Sequence, residues 1–474
     1  MADQCRYDAL SANGNRLART PHLDRLAQGS ANFSHCFVQA PVCVPSRIST
    51  FTGRYPHSHK NRVNYTPCDP REVLMQRRFQ DAGYQTGSVG KLHLYPPTAD
   101  HARSTGYDRV LLDDSSGTRE GYSDYVQWRN ANDPLAKKVH YNAAAPGKNP
   151  FRLAIDYQYT PTAWTGAQAR TMLRGFATVR RPFFLNVSFF KPHGPHTVPP
   201  PYDSTFDGVE FPLPPRISLA QIRTLPEPVQ RQILRGRPEY DMDRERLQWI
   251  HRSYAGGVAM VDHEIGAILD ELDKTGQSGN TIVVFCTDHG DQLLEHGLQG
   301  KNVFFEHSVR LPLLVRYPGR VRPSRREELV EMVDVMPSLL EWCGVPIPVN
   351  CQGRSFVPLV GGSGPYEPKQ AVFAENIIPE VITGGAVNLP FEPGKGVGGV
   401  RHPDCKMVRT RRWKFNYYPG HGAELYDLEN DPGETRNLSR EASAQVLVAE
   451  MRERLLEWLI TADENDQIAP KWLV

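Results

Sequence analysis

The sequence predicts an α/β protein: a large mixed, mostly parallel sheet flanked by helices, then a small C-terminal unit of antiparallel strands and a closing helix. Three observations carry this reading. Apolar runs of strand length alternate with segments of helical period. Short polar segments bearing Lys, His and Asp follow directly on three of those runs, where open α/β sheets collect ligands. Past about residue 365 the long helical patterns give way to short β-rich runs. A chain of 474 residues exceeds what one core usually organises. The reading therefore divides it into a large α/β domain over 1–364 and a small α+β subdomain over 365–474.

Taken in order, Met1-Ala2-Asp3 reads as the end of a strand whose earlier part is missing, which leaves Asp3 on a frayed terminus. Thr20 as cap, Pro21 in the first turn and Gly29 at the end enclose a helix over His22 to Gln28. Ser46 to Thr52 reads as a helix start. Tyr84 to Val89 is a short strand that ends at Gly90-Lys91-Leu92-His93. Residues 100 to 165 are polar and lack a clear period, so they read as a long surface insertion facing the cleft. Within it, Tyr122, Tyr125, Trp128 and Tyr141 read as insertion packing, with a carbohydrate platform as the other reading. Phe183 to Phe190 is a nearly continuous apolar run between Pro182 and Pro192, hence a buried parallel strand. It delivers Lys191-Pro192-His193-Gly194-Pro195-His196.

Val258, Val261, Ile265, Leu269 and Leu272 recur at helical spacing and close at Gly276. Thr281 to Cys286 is another buried strand, followed by Thr287-Asp288-His289-Gly290. Pro312 to Arg316 reads as a strand and Val333 to Trp342 as a helix. In the second domain Ala371 to Ala374, Met407 to Thr410 and Lys414 to Tyr418 are short strands, and Val446 to Ile460 is the closing amphipathic helix. The glycine-rich run Pro393 to Val400 matches no phosphate-cradling pattern and reads as a mobile loop of the second domain.

Composition excludes several classes. The chain has 55 basic and 53 acidic residues, so no field draws it to nucleic acid or to an anionic membrane. No apolar stretch approaches the ~18 residues of a membrane span. The eight cysteines show no C-x-x-C pair and no regular spacing, which favours reduced thiols over a disulfide framework or zinc site. The amino terminus has neither the basic nor the apolar region of a signal peptide, so the chain as written reads as cytoplasmic. Were Met1 an internal methionine of the missing strand, a signal peptide could lie upstream, and a periplasmic or secreted location would follow.

The richest motif is Pro41-Val42-Cys43-Val44-Pro45-Ser46-Arg47, followed by Thr52-Gly53-Arg54. Gly90-Lys91-Leu92-His93, Pro192-His193-Gly194-Pro195, Asp288-His289-Gly290, Gly300-Lys301-Asn302 and Leu425-Tyr426-Asp427-Leu428 accompany it. Jointly these resemble the type I, formylglycine-dependent sulfatase family of the alkaline-phosphatase superfamily. The resemblance implies an alkaline-phosphatase-like fold. It implies that a maturation enzyme oxidises Cys43 to formylglycine. One hydroxyl of the aldehyde hydrate then attacks sulfur, and the other loses its proton as sulfate leaves.

The same resemblance gives the other residues their roles. Arg47 orients the hydrate, and Lys91 and His93 serve the sulfate oxygens and the hydrate proton. Lys301 matches the lysine that follows the metal segment, and His193 protonates the leaving oxygen. Asp3, Asp288, His289 and the modified Cys43 hold one divalent cation, Ca2+ first, with Mn2+ or Mg2+ as rivals. Many relatives carry Asp-Asp and Asp-Asn where this chain has Ala2-Asp3 and Asp288-His289. The imidazole softens the ligand set, as in phosphonate monoester hydrolases of similar pattern. His196 reads as a substrate contact or a rim residue, and His57, His59, His296 and His307 as structural.

The expected activity is therefore hydrolysis of a sulfate ester of a sugar or small organic molecule. A phosphonate monoester or phosphodiester hydrolase with the same nucleophile is the alternative, because those substrates also carry a single negative charge. A third reading is an inactive protein that binds sulfated glycans, which the truncated first strand would favour.

Overall fold

A computed structural model describes residues 1–474 apart from Tyr65, 115–122, Lys148, Arg216, Asp241, 362–363, 378–390, 393–395, 398–403 and 465–474. In chain order the first nine strands are β1 (Ala2–Asp3), β2 (Ala31–Phe37), β3 (Gln85–Gly90), β4 (Arg109–Leu112), β5 (Phe183–Pro192), β6 (Val283–Cys286), β7 (Arg310–Arg316), β8 (Ser324–Arg326) and β9 (Val330–Glu331). The first sheet, in the order β1-β5-β3-β4, is parallel throughout. The second runs β6-β7-β2-β8, with β9 also on β2, and is mixed. There β7 lies antiparallel to both its neighbours, while β8 and β9 pair with β2 in parallel. A C-terminal antiparallel sheet follows, of β10 (Val372–Ile377), β13 (Asp404–Arg409), β14 (Trp413–Tyr418) and β15 (Gly422–Asp427). β11 (Phe391–Glu392) and β12 (Gly396–Val397) form a separate short pair. Of the predicted Pro393 to Val400 loop only Gly396 and Val397 are described. The rest lies outside the described residues, as does Tyr122.

Asp3 is not frayed. The Met1 ammonium donates to Val187 O at 2.6 Å, and Phe189 N and His193 N donate to Met1 O and Asp3 O at 2.9 and 3.1 Å. These bonds use backbone alone, so a two-residue strand suffices to seat Asp3 in full burial beside β5. On its other side, Cys5 N donates to Thr287 Oγ1 and Gln4 N to Asp288 Oδ1, both at 3.1 Å. Side chains thus join β1 to the loop after β6.

Helix α1 (Pro21–Gln28) forms as predicted, but Thr20 does not cap it. The Asp262 carboxylate, from the long helix Arg244–Lys274, accepts from Leu23 N and His22 N at 2.7 and 3.2 Å and satisfies those N-terminal donors instead. Helix α2 (Cys43–Thr52) is buried over its whole length and stops at Gly53, whose φ is +66°. The tract 100–165 is more than a surface insertion. It contains β4, the helix Asp124–Asn132 and the start of the helix Pro161–Ala177. Tyr125 and Tyr141 are buried with Trp164, Met172 and Phe176 in one apolar cluster, so they pack rather than form a platform. The closing helix, Gln445–Glu464, lays Val448, Met451, Leu455 and Trp458 on Val408, Phe415 and Leu425 of the small sheet.

No helix among the described residues is long and apolar enough to cross a membrane.

Candidate active site

The carboxyl ends of β1, β3, β5 and β6 converge on the first turn of α2. Cys43 is the first residue of that helix, so unpaired backbone N–H groups and the helix dipole favour negative charge at its side chain. Asn64 accepts one of these donors, Val44 N, at 3.0 Å. Two glycines let the strand-end loops close in. Gly90 has φ +90°, and a Cβ there would lie 2.1 Å from Ser188 O. A Cβ at Gly290 would lie 1.9 Å from His307 O, which accounts for the third residue of Asp-His-Gly.

Around the Cys43 sulfur stand Lys301 Nζ and His289 Nε2, each at 3.1 Å, and Lys91 Nζ at 3.8 Å. His193 stands beside the sulfur as well and favours its negative charge. Burial alone would raise the Cys43 thiol, but Lys301, Lys91 and His289 pull it well below the usual thiol range. Lys91 also pairs tightly with Asp3. Burial would raise Asp3 as well, yet this ammonium holds its carboxyl below the ordinary range, and Asp3 in turn raises Lys91 against the effect of burial. His193 is lowered by burial and then by Lys301; its Nδ1 lies 2.7 Å from Gly194 O, which leaves Nε2 for the cleft. His289 is raised: burial opposes its charge, but Asp288 and the Cys43 sulfur together outweigh burial.

Arg47 is fully buried and grips the site's frame rather than Cys43. Its Nε donates to Asp288 Oδ2 at 2.9 Å, and its Nη1 donates to Lys91 O at 2.6 Å and Ser188 Oγ at 3.0 Å. It also lies 3.7 Å from Asp3. Arg47 thus reaches both carboxylates of the group, Asp3 and Asp288. His93 joins through its backbone. At φ +56° its N–H donates to both oxygens of Asp114, at 2.8 and 2.9 Å. His196 is buried against the Tyr254 ring, 5.6 Å between centroids. His57 bonds to Glu375, His59 to Ser49, and His296 stacks on Phe305, all away from this group.

Asp3, Cys43, Asp288 and His289 each offer a donor atom, and the four atoms lie within 4.8 Å of one another, all buried. Asp3 Oδ1 is buried without a hydrogen-bond partner. A buried carboxylate oxygen left open beside an imidazole and a second carboxylate is what a divalent cation requires, so these residues fit one.

Three contributors escaped the sequence reading: Gln4, Asp291 and Asp114. Their only sequence signal is position, one residue after Asp3, three after Asp288, and just past β4.

The sulfatase family model matches residues 1–345. The chain belongs to the sulfatase family. It is thereby a sulfuric ester hydrolase. This sulfatase is 27% identical to an arylsulfatase of Clostridium perfringens, covering 98% of this chain and 94% of the relative. It is 25% identical to the multifunctional alkaline phosphatase superfamily protein PehA of Trinickia caryophylli, over 97% and 94%. Among solved structures, its fold matches phosphonate monoester hydrolases from Silicibacter pomeroyi and Agrobacterium radiobacter. The first has a TM-score of 0.84 and 23% identity over 98% of this chain and 94% of that one. The second has 0.82 and 26%, over 97% and 94%.

Proposed function

We propose that the sulfatase hydrolyses a sulfate monoester of a sugar or small organic molecule, with residue 43 as the attacking group after conversion to formylglycine by a maturation enzyme. The observation that carries this is Cys43 itself: a buried helix-start residue with Lys301, Lys91, His289 and His193 around its side-chain tip. As formylglycine hydrate, residue 43 supplies the hydroxyl that attacks sulfur and the aldehyde that lets sulfate go. Asp3, Asp288, His289 and residue 43 would hold one divalent ion, which supplies Lewis acidity to the nucleophile and to a sulfuryl oxygen. Family resemblance points to Ca2+, while the imidazole of His289 favours Mn2+.

This chain's own residues do the rest. Lys91 and Lys301 neutralise the sulfuryl oxygens, and burial strengthens both interactions. Arg47 holds Asp288 through Oδ2 and lies beside Asp3, whose Oδ1 is left open. His193, with Nδ1 directed at Gly194 O, presents Nε2 as the acid for the leaving oxygen; the anionic substrate beside it raises its hold on that proton. His93, held by Asp114, borders the hydrate.

Mass spectrometry of the Cys43 peptide after co-expression with a maturation enzyme is expected to show the aldehyde. Cys43→Ala is expected to abolish turnover, and a thiol that persists in active protein would overturn the mechanism. A second reading, phosphonate monoester or phosphodiester hydrolysis at the same residues, is favoured by the Asp288-His289 pair and the likeness to the Agrobacterium radiobacter enzyme. Comparing kcat/KM on an aryl sulfate, a phosphodiester and a phosphonate monoester decides between them. Elemental analysis of the same protein identifies the ion.

A further inference from the structure

Gln4 stands between a buried carboxylate and the lysine that reaches residue 43. Its side-chain N–H donates to Asp291 Oδ2, and its Oε1 accepts from Lys301 Nζ at 2.8 Å. Lys301 Nζ then lies 3.1 Å from Cys43 Sγ. Chemistry fixes the direction of this chain. A carboxylate only accepts and an ammonium only donates, so the amide must turn its nitrogen to Asp291 and its oxygen to Lys301.

Asp291 is fully buried, and its Oδ1 accepts from Leu293 N at 2.7 Å and Gly300 N at 3.1 Å. Those bonds leave Oδ2 to face Gln4. They also pin the turn at Gly300, φ +82°, that carries Lys301. Asp291 therefore holds the lysine at its backbone and, through Gln4, at its tip. Gln4 is held just as firmly. Its φ is +65°, its N–H donates to Asp288 Oδ1 at 3.1 Å, and its carbonyl accepts from Tyr254 OH at 2.8 Å. A left-handed backbone at a non-glycine persists only where its surroundings impose it.

We propose that Asp291 and Gln4 form a positioning relay that aims the Lys301 ammonium at the reacting atom of residue 43. The proposal rests on the function given above. A lysine has several rotatable bonds and would otherwise pair with the nearest carboxylate. A direct pair would draw the ammonium toward the carboxylate, as Lys91 is drawn to Asp3. A neutral amide between the two transmits direction and keeps the negative charge one residue further off.

The test reverses the relay. In Asp291→Asn, Oδ1 stays pinned by the two backbone N–H groups, so Nδ2 faces Gln4. The Gln4 amide must then flip and oppose Lys301 with a second donor. A loss of about 10–100-fold in kcat/KM is expected, mostly in kcat. Gln4→Glu alone sets two carboxylates face to face and is also expected to lose activity. Gln4→Glu with Asp291→Asn rebuilds the chain, Asn to Glu to Lys301, and is expected to recover at least about fivefold over Asp291→Asn. Formylglycine content and Tm are measured for each variant. Should Asp291→Asn not fold, Gln4→Met removes both side-chain bonds at similar volume, with the same loss expected. Asp291→Asn within twofold of wild type, or a double variant showing the product of the two single losses, overturns the relay. Wild-type turnover of none of the three substrates would instead overturn the function. The relay is then read from sulfate affinity by calorimetry, which Asp291→Asn weakens and the double variant restores; equal affinity in all three overturns it.

Discussion

Two pairs of aspartates sit at carboxyl ends of strands, and the protein treats them in opposite ways. Asp3 and Asp288 end β1 and follow β6; Asp113 and Asp114 follow β4. The first pair faces cations. Arg47 reaches both members, and Lys91 pairs with Asp3. Asp3 stays ionised despite full burial, and its Oδ1 is left open. The second pair faces mainly hydroxyl and amide. Asp113 accepts from Ser123 Oγ at 3.4 Å, and Asp114 accepts from His93 N. Burial, then the neighbouring Asp114, pushes Asp113 up to about 7, and burial raises Asp114. An aspartate at a strand end is thus not in itself a metal ligand. The cations packed around it decide whether it stays charged and available to an ion or becomes a clamp for backbone.

The largest effect expected from breaking this contrast is at Asp3. Asp3→Asn removes a charge from the proposed metal site and leaves Lys91 and Arg47 without their shared partner. Loss of roughly 10²–10³-fold in kcat is expected, together with a fall in bound metal by elemental analysis. Unfolding titrations should show destabilisation of about 3 kcal/mol, because an uncompensated buried cation is costly. Full metal content and near-native kcat would mean that Asp3 belongs with the other pair.

A smaller effect is expected at Asp114. Asp114→Ala frees the His93 N–H, whose residue sits at φ +56° against ordinary preference. The Lys91-Leu92-His93 segment should relax, with a loss of about tenfold in kcat/KM. His93→Gly in that background restores backbone tolerance but not the side chain. If His93→Gly costs the same with and without Asp114→Ala, the carboxylate does not act through His93.

The contrast also shows what was readable in the sequence. Cys43, Lys91, His193, Asp288, His289 and Lys301 each stand in or just after a short motif close to a strand or helix end, so pattern and position agree. Gln4 and Asp291 could not be read, because their contact joins residues 287 apart and glutamine has no distinguishing spacing. Asp114 was hidden in the tract 100–165, where a four-residue strand leaves no period to detect. Strand β2 was missed for a related reason. Ala31–Phe37 buries Asn32 and Ser34, whose Nδ2 and Oγ are hydrogen-bonded, so its sequence lacks the continuous apolar run of a central strand. The shortness of the first strand misled the reading of Asp3, since three backbone hydrogen bonds to β5 and its end replace the expected apolar run.

The smallest predicted effect is at Asp113, and it is one of stability. The folded carboxyl titrates near pH 7, whereas in the unfolded chain it titrates near its ordinary ~3.9. Between these values the folded state holds a proton that the unfolded state has lost. Stability contributed by the protonated group is therefore full below pH ~4, declines as pH rises to about 7, and stays lost above it. Asp113→Asn keeps an acceptor for Ser123 and cannot ionise. Relative to wild type it should be indifferent at pH 4 and gain stability above pH 7, by a few kcal/mol at most at roughly 1.4 kcal/mol per pH unit. Urea midpoints at pH 5 and pH 8 for the two proteins measure this. A gap between them that is the same at both pH values would show Asp113 ionised throughout, and the contrast with Asp3 would then lie in hydrogen bonding rather than in charge.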